Sequence, residues 1–316
     1  MILAAFGCSG VNLLLNSCSA FRQKLVSVVP KGAHHTSWLT VRAGTQQAGA
    51  DFGLHIDWES QANETDVEAQ IRIVKSLIAR RVSAIVLAPI DKQALVAPVR
   101  QAMQNNIPVV ILDSTLESDD FLSFVGTDNA GAGRLAARRM GAILGGTGKV
   151  AIISSMPGSG AISERERAFQ DEVRLLFPGI RVLGPQYTMY DAGRAQEAAQ
   201  AVLAEHSDLS GIFADNESSS VGASRALKNI KGNNVKLVAF DSTPELVDAL
   251  KSGTVDSLVL QDLFGMGYES VRAVAMKLAG KTPPLRTDTS AILVLADRLD
   301  SPEVRRLLFP KSPATA

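Results

Sequence analysis

Two stretches, 128 positions apart, decide how this chain is read: Val109-Val110-Ile111-Leu112-Asp113-Ser114-Thr115 and Leu237-Val238-Ala239-Phe240-Asp241-Ser242-Thr243. Each is a short apolar run without helical period that stops at the same Asp-Ser-Thr. A run of this kind bounded by turn residues has the form of a strand buried on both faces, as strands are in a parallel sheet.

Working outward, short β-branched runs alternate with helical patterns along the whole chain. The first half predicts strands at 24–29, 54–59, 84–88 and 109–113, with helices at 38–52, 65–80 and 94–105. The second half predicts strands at 149–154, 180–186, 211–214 and 236–241, with helices at 163–176, 192–205 and 218–229. The order repeats, and corresponding strands lie 125 to 128 positions apart. The fold class is therefore α/β, with two similar doubly wound parallel-sheet lobes that look like the product of a duplication.

The 32 basic residues balance the 32 acidic ones, 46% of residues are hydrophobic and 5% aromatic. That composition gives no electrostatic attraction toward a nucleic-acid backbone, so nucleic acid is excluded as a partner class. Both cysteines, Cys8 and Cys18, lie in the opening segment, where residues 2–15 are apolar and the first charge is Arg22. This suits the apolar region of a secretory signal, and Leu15-Asn16-Ser17-Cys18 looks like a lipobox with Cys18 as the lipid-bearing residue. Residues 1–23 are expected to be a signal or lipoprotein leader. The chain is then periplasmic or otherwise extracytoplasmic, with a lipid anchor as its one membrane contact.

No pattern for covalent chemistry survives inspection. Gly145-Gly146-Thr147-Gly148-Lys149 lacks the spacing of a phosphate loop, and it stands between a helix and a strand, the reverse of the required order. Gly158-Ser159-Gly160 lacks the third glycine of a dinucleotide fingerprint and the ribose-binding acid that follows it. Four histidines and no cysteine beyond Cys18 leave little for a metal. No cofactor, no metal and no catalytic residue are expected.

Polar residues gather instead where strands end, and in open parallel sheets ligands bind beyond the carboxyl ends of the strands. Gly211 to Leu227 reads GIFADNESSSVGASRAL, an apolar run breaking into hydrogen-bonding side chains. Ser218 and Ser219 are candidate helix caps, which leaves Asn216 free for a ligand. Thr243-Pro244-Glu245 reads as an N-cap followed by a first-turn proline and acid.

With these features assembled, the chain resembles the sugar-binding proteins of ABC importers, of the ribose-binding type, whose fold is shared with the ligand-binding core of the lactose-repressor family. The resemblance rests on VSVVPKGAHHTSWLTVRAGTQQAGADFG, AIVLAPIDKQALVAPV, IPVVILDST, FVGTDNAGAGRLAA, SERERAF, GIFADNESSSVGASRAL, VKLVAFDSTPELV and LVLQDLFGMG, in the family's order. It implies a type I periplasmic binding protein: two lobes joined by a three-segment hinge, one formed by 24–126 and 263–290, the other by 127–262 and 291–316.

The resemblance further implies a ligand between the lobes. Asp113 matches the acid that accepts paired sugar hydroxyls, Asn216 and Asp241 match polar contacts of the second lobe, and Gln261 matches a glutamine beside the hinge. Trp38 and Tyr190 fall on aromatic positions flanking the sugar ring. His35 replaces a common asparagine, Ser114 an arginine after the acid, Ala88 a further asparagine, and Ser163 takes the place of a second-lobe arginine, with Arg165 two residues later. These departures point away from ribose and toward another monosaccharide or a polyol. The implied function is capture of that solute and delivery to an ABC importer permease, by a chain expected to act as a monomer; the alternative is presentation of the sugar to a chemoreceptor or histidine kinase. A repressor would need a DNA-binding headpiece before the first strand, and only 23 apolar-rich residues precede Lys24.

Overall fold

The computed structural model describes residues 24–228, 230 and 234–310. The proposed lipidation site at Cys18 lies outside them. The chain builds two open sheets in succession. The first half runs β1 (Leu25–Val29), α1 (Thr36–Phe52), β2 (His55–Trp58), α2 (Val67–Arg80), β3 (Ala84–Leu87), α3 (Val96–Gln104), β4 (Val109–Leu112) and β5 (Ser123–Thr127). The second runs α4 (Asn129–Ile143), β6 (Thr147–Ser154), α5 (Gly160–Leu176), β7 (Gly179–Val182), β8 (Gln186–Tyr187), α6 (Ala192–Glu205), β9 (Leu209–Ala214), α7 (Glu217–Lys228), β10 (Lys236–Phe240), α8 (Pro244–Ser252) and β11 (Ser257–Gln261). The chain then returns through α9 (Leu263–Leu278) and β12 (Arg286–Thr289) and crosses to β13 (Ala291–Val294), and α10 (Pro302–Leu308) is the last element among the described residues.

The sheet orders are β12-β5-β4-β3-β1-β2 and β13-β11-β10-β9-β6-β7. Read from the strand next to the first, both wind as 2-1-3-4-5, the doubly wound order whose crevice opens where successive crossovers diverge. The edge strands differ, since β12 joins β5 in parallel and β13 joins β11 antiparallel. Three crossovers therefore connect the lobes: from β5 into α4, from β11 into α9, and at Ser290 between β12 and β13.

The central strands of each sheet are buried on both faces, which is why they are mostly apolar, whereas the edge strands β2, β7 and β12 are partly exposed and carry polar residues. Along β3 the alternation is direct. Ala84 and Val86 join the core under α1 and α9, whereas Ile85 and Leu87 join the core under α2 and α3. In the second lobe Ile152, Phe213 and Phe240 pack under α4 and α5, with the Phe169 and Phe213 rings stacked at 4.2 Å. Helices α1 and α9 cross closely because each offers a glycine to the other's backbone. Gly44 meets the Phe264 carbonyl and Gly267 the Val41 carbonyl.

One predicted strand is divided. The run expected at 180–186 forms β7 and β8 with Gly184-Pro185 between them. Proline has no N–H to give the ladder, so pairing with β6 stops after Val182 and resumes at Gln186.

Candidate functional site

The two Asp-Ser-Thr strand ends share an uncommon backbone. Asp113 follows β4 at φ 64° and Asp241 follows β10 at φ 65°, both left-handed. Among residues with a Cβ, aspartate is one of the few that adopts this conformation readily, because its short polar side chain bonds locally. The turn directs both carboxylates into one cavity between the lobes, beyond the carboxyl ends of the strands.

Ten polar or charged residues line that cavity: Lys31, His35, Ser37, Glu64, Asp113, Arg165, Asn216, Glu217, Asp241 and Gln261. Trp38, Val41, Ala161, Ile162, Tyr190 and Leu263 complete it. Both lobes contribute, as a site that closes on its ligand requires. Seven residues expected from the sequence meet here: His35, Trp38, Asp113, Tyr190, Asn216, Asp241 and Gln261.

Asp113 is held by Lys31, whose Nζ donates to Asp113 Oδ2 at 2.6 Å, to Ser114 Oγ at 2.5 Å and to Ser159 Oγ at 3.3 Å. These use all three ammonium donors. Burial alone would push the Asp113 carboxyl up, but Lys31 and Arg165 override it and hold the group below the usual carboxylate range. Burial likewise opposes charge on Lys31, and Asp113 more than restores it. The pair is ionised, and Oδ1 stays available to accept from a hydroxyl.

Gln261, the last residue of β11, joins the site to the hinge. Its Oε1 accepts from Thr127 Oγ1 at 2.8 Å and from Arg165 Nη2 at 2.6 Å, and its Nε2 donates to Asp241 Oδ1 at 2.6 Å. Arg165 also donates to Asn129 Oδ1 and to the Asp215 carbonyl, each at 2.8 Å, with its guanidinium 4.4 Å above the Phe240 ring. Three bonds leave two of the five guanidinium N–H groups for the cavity. Burial raises Asp241 to about 6, against the opposing pull of Arg165 and Gln261.

The end of β9 corrects the expected division of labour. Asn216 itself caps α7: its Oδ1 accepts from Ser219 N at 3.0 Å and Ser218 Oγ at 3.1 Å, while its own N–H donates to Ser219 Oγ at 3.0 Å. This is a reciprocal cap in which the serines answer the asparagine. Asn216 keeps its amide Nδ2 for the cavity. Thr243 caps α8 as expected, accepting from Leu246 N at 3.1 Å with Pro244 in the first turn.

Glu217 reaches across the cleft. Its Oε1 accepts from Thr36 N at 3.0 Å, and its Oε2 accepts from Ser37 N at 2.8 Å and Ser37 Oγ at 2.7 Å. His35, just before α1, bonds through Nδ1 to Glu64 Oε1 at 2.6 Å, and that bond raises its pKa against the effect of burial. Trp38 is 7% exposed and belongs both to the cavity wall and to the core under α1. Tyr190 closes another wall; burial raises its hydroxyl pKa, and the group has no hydrogen bond of normal geometry.

Two expected residues are placed elsewhere. Ser114 is buried behind Asp113, donating to Asp113 Oδ2 at 3.1 Å and accepting from Ala161 N at 3.2 Å. Ser163 lies on α5 outside the cavity lining, and Arg165, half a turn on, points in instead. Sequence reasoning missed Lys31, Glu64 and Glu217. A lysine after a strand-ending proline and a glutamate in a helix's first turn both have ordinary solvent roles, so their types carried no signal.

Behind the second-lobe wall a pair of acids is buried. Asp215 Oδ1 accepts from Ser155 Oγ at 3.2 Å and Ser219 Oγ at 3.3 Å, while its other oxygen has no hydrogen bond of normal geometry. Glu166 bonds to Ser154 Oγ and to Tyr187 Oη. Burial pushes both carboxyls up, and the neighbouring Glu166 adds to burial in taking Asp215 to about 7. Among the described residues, no group of three or more His, Cys, Asp or Glu could hold a metal, and no helix is long and apolar enough to cross a membrane.

Residues 26–282 match the model of the periplasmic binding protein domain. The D-ribose/D-allose-binding protein of Pseudomonas aeruginosa is 26% identical over 296 residues, covering 87% of this chain and 92% of that protein. An ABC transporter solute binding protein from Agrobacterium vitis, solved with bound D-fucose, superposes with a TM-score of 0.87 at 32% identity, covering 90% of this chain and 99% of that one. A second Agrobacterium vitis solute binding protein, bound with α-D-tagatopyranose, gives 0.86 at 29% identity, covering 90% and 99%.

Proposed function

Because the chain belongs to the periplasmic binding protein domain family, we propose that it captures a neutral monosaccharide or polyol between its lobes and delivers it to an ABC importer permease. The observation that supports this reading is the convergence of Asp113, Arg165, Asn216, Asp241 and Gln261, flanked by Trp38 and Tyr190, on one interlobe cavity. Charged and amide groups hydrogen-bond a ring of hydroxyls, while flat apolar faces take its C–H surface. The reading requires no covalent step. The protein works outside the cytoplasm as a monomer, with Cys18 as its lipid-bearing residue.

A thermal-shift screen of sugars, polyols, amino acids and nucleotides tests the ligand class. A ligand at 100 times its Kd adds about 2.7 kcal/mol to folded-state stability, which a melting curve resolves. A shift with amino acids or nucleotides and none with any sugar or polyol would overturn the reading.

A further inference from the structure

Helices α1 and α5 occupy the same place in the two lobes, each following the first strand of its sheet and each 17 residues long. Neither has a side-chain cap of its own. The N-cap residues His35 and Ser159 make no capping hydrogen bond. The first N–H groups of any helix need a partner, and here each helix takes one from the opposite lobe. Glu217 of the second lobe receives Thr36 N and Ser37 N of α1; Ser114 of the first lobe receives Ala161 N, the second residue of α5. Opening the cleft would break both caps together.

We infer that Glu217 and Ser114 are positioning residues for closure: by capping α1 and α5 in trans they hold a closed population in the protein before any ligand arrives. This rests on the bilobal clamp described above. The two sides are built differently. Glu217 uses both carboxylate oxygens at a helix N-terminus, where a negative charge also meets the positive end of the helix dipole. Ser114 is tied to the ligand acid, since its hydroxyl donates to Asp113 Oδ2 while its oxygen accepts from Ala161 N and from Lys31. Lys31 itself reaches Ser159 across the cleft. The group that receives the ligand and the group that senses closure are thus neighbours in one hydrogen-bonded chain.

The test uses the ligand-free full-length protein with Cys8 and Cys18 changed to serine and spin labels at Ser76→Cys on α2 and Gln200→Cys on α6, both exposed. Double electron–electron resonance then reads the distance between lobes. The expected result is a closed population in the parent protein that falls about tenfold relative to the open one in Glu217→Ala, the scale of a lost helix cap with a charged acceptor. Ser114→Ala should act in the same direction, and Ser114→Thr, which keeps the hydroxyl, should restore the parent distribution. A parent protein with no closed population, or Glu217→Ala and Ser114→Ala distributions within twofold of the parent, overturns the inference. Because no ligand is added, failure of the sugar assignment leaves this result standing.

Discussion

Asp215→Asn should make the protein more stable at alkaline pH and remove part of its pH dependence. Asp215 is fully buried at the end of β9, and its pKa is raised from an ordinary 3.8 to about 7 by burial, with Glu166 adding to it. The unfolded chain gives up this proton near pH 4, whereas the folded protein keeps it until near pH 7. Between those values the native state binds more protons, so unfolding becomes easier as pH rises. A separation of about 3 units corresponds to about 4 kcal/mol when the group is fully ionised, of which about 2–3 kcal/mol develops between pH 5 and pH 8. Asparagine carries no charge to bury and keeps an oxygen for the Ser155 and Ser219 hydroxyls that now bond Asp215. Urea unfolding of both proteins at pH 5, 6, 7 and 8 makes the comparison. The variant should gain about 2 kcal/mol or more over the parent at pH 8 relative to pH 5. Parallel curves across that range would refute the reasoning, because they would mean that Asp215 titrates alike in both states.

Asp113→Ala and Asp241→Ala should each weaken binding of the identified sugar by about 2 kcal/mol, measured by calorimetry, since a hydroxyl buried in the cleft loses a charged partner; unchanged affinity in both would place the ligand elsewhere. Lys31→Met should raise the Asp113 pKa, because the ammonium that now holds it down is gone, so binding should fail at a higher pH on acidification than in the parent. Superimposable pH profiles of Kd would count against the ion pair. Gly267→Ala should cost about 1–3 kcal/mol or more in thermal unfolding, because its new methyl meets the Val41 carbonyl where α1 and α9 cross.

The duplicated sheet was legible because burial on both faces forces short apolar runs, which recur in the same order at a nearly constant offset between the two halves. Asp113 and Asp241 were legible from the Asp-Ser-Thr repeated at two strand ends together with the family resemblance, whereas Asp215, which also follows an apolar run, lies behind the cavity wall. The remainder of the site depended on distance across the fold. Lys31 becomes informative only when Asp113, 82 positions later, is seen to pair with it, and Glu217 only when α1 is found without a cap. Ser163 and Arg165 differ by two positions on one helix, which rotates the side chain to another face, so Arg165 lines the cavity and Ser163 does not. Asn216 illustrates a subtler limit, since one side chain caps a helix with its oxygen and still presents its amide to the cleft.

The return of the chain through α9 and β12 sets an order for its birth on the ribosome. The first sheet receives its edge strand, and α1 its glycine-paired neighbour, only after strands β6 to β11 of the second sheet have been made. Domains usually fold in the order in which they emerge. Here most of the second lobe lies between the two parts of the first, so β6 to β11 can pair while the first lobe waits, its helix α1 still lacking the surface against which Gly44 fits.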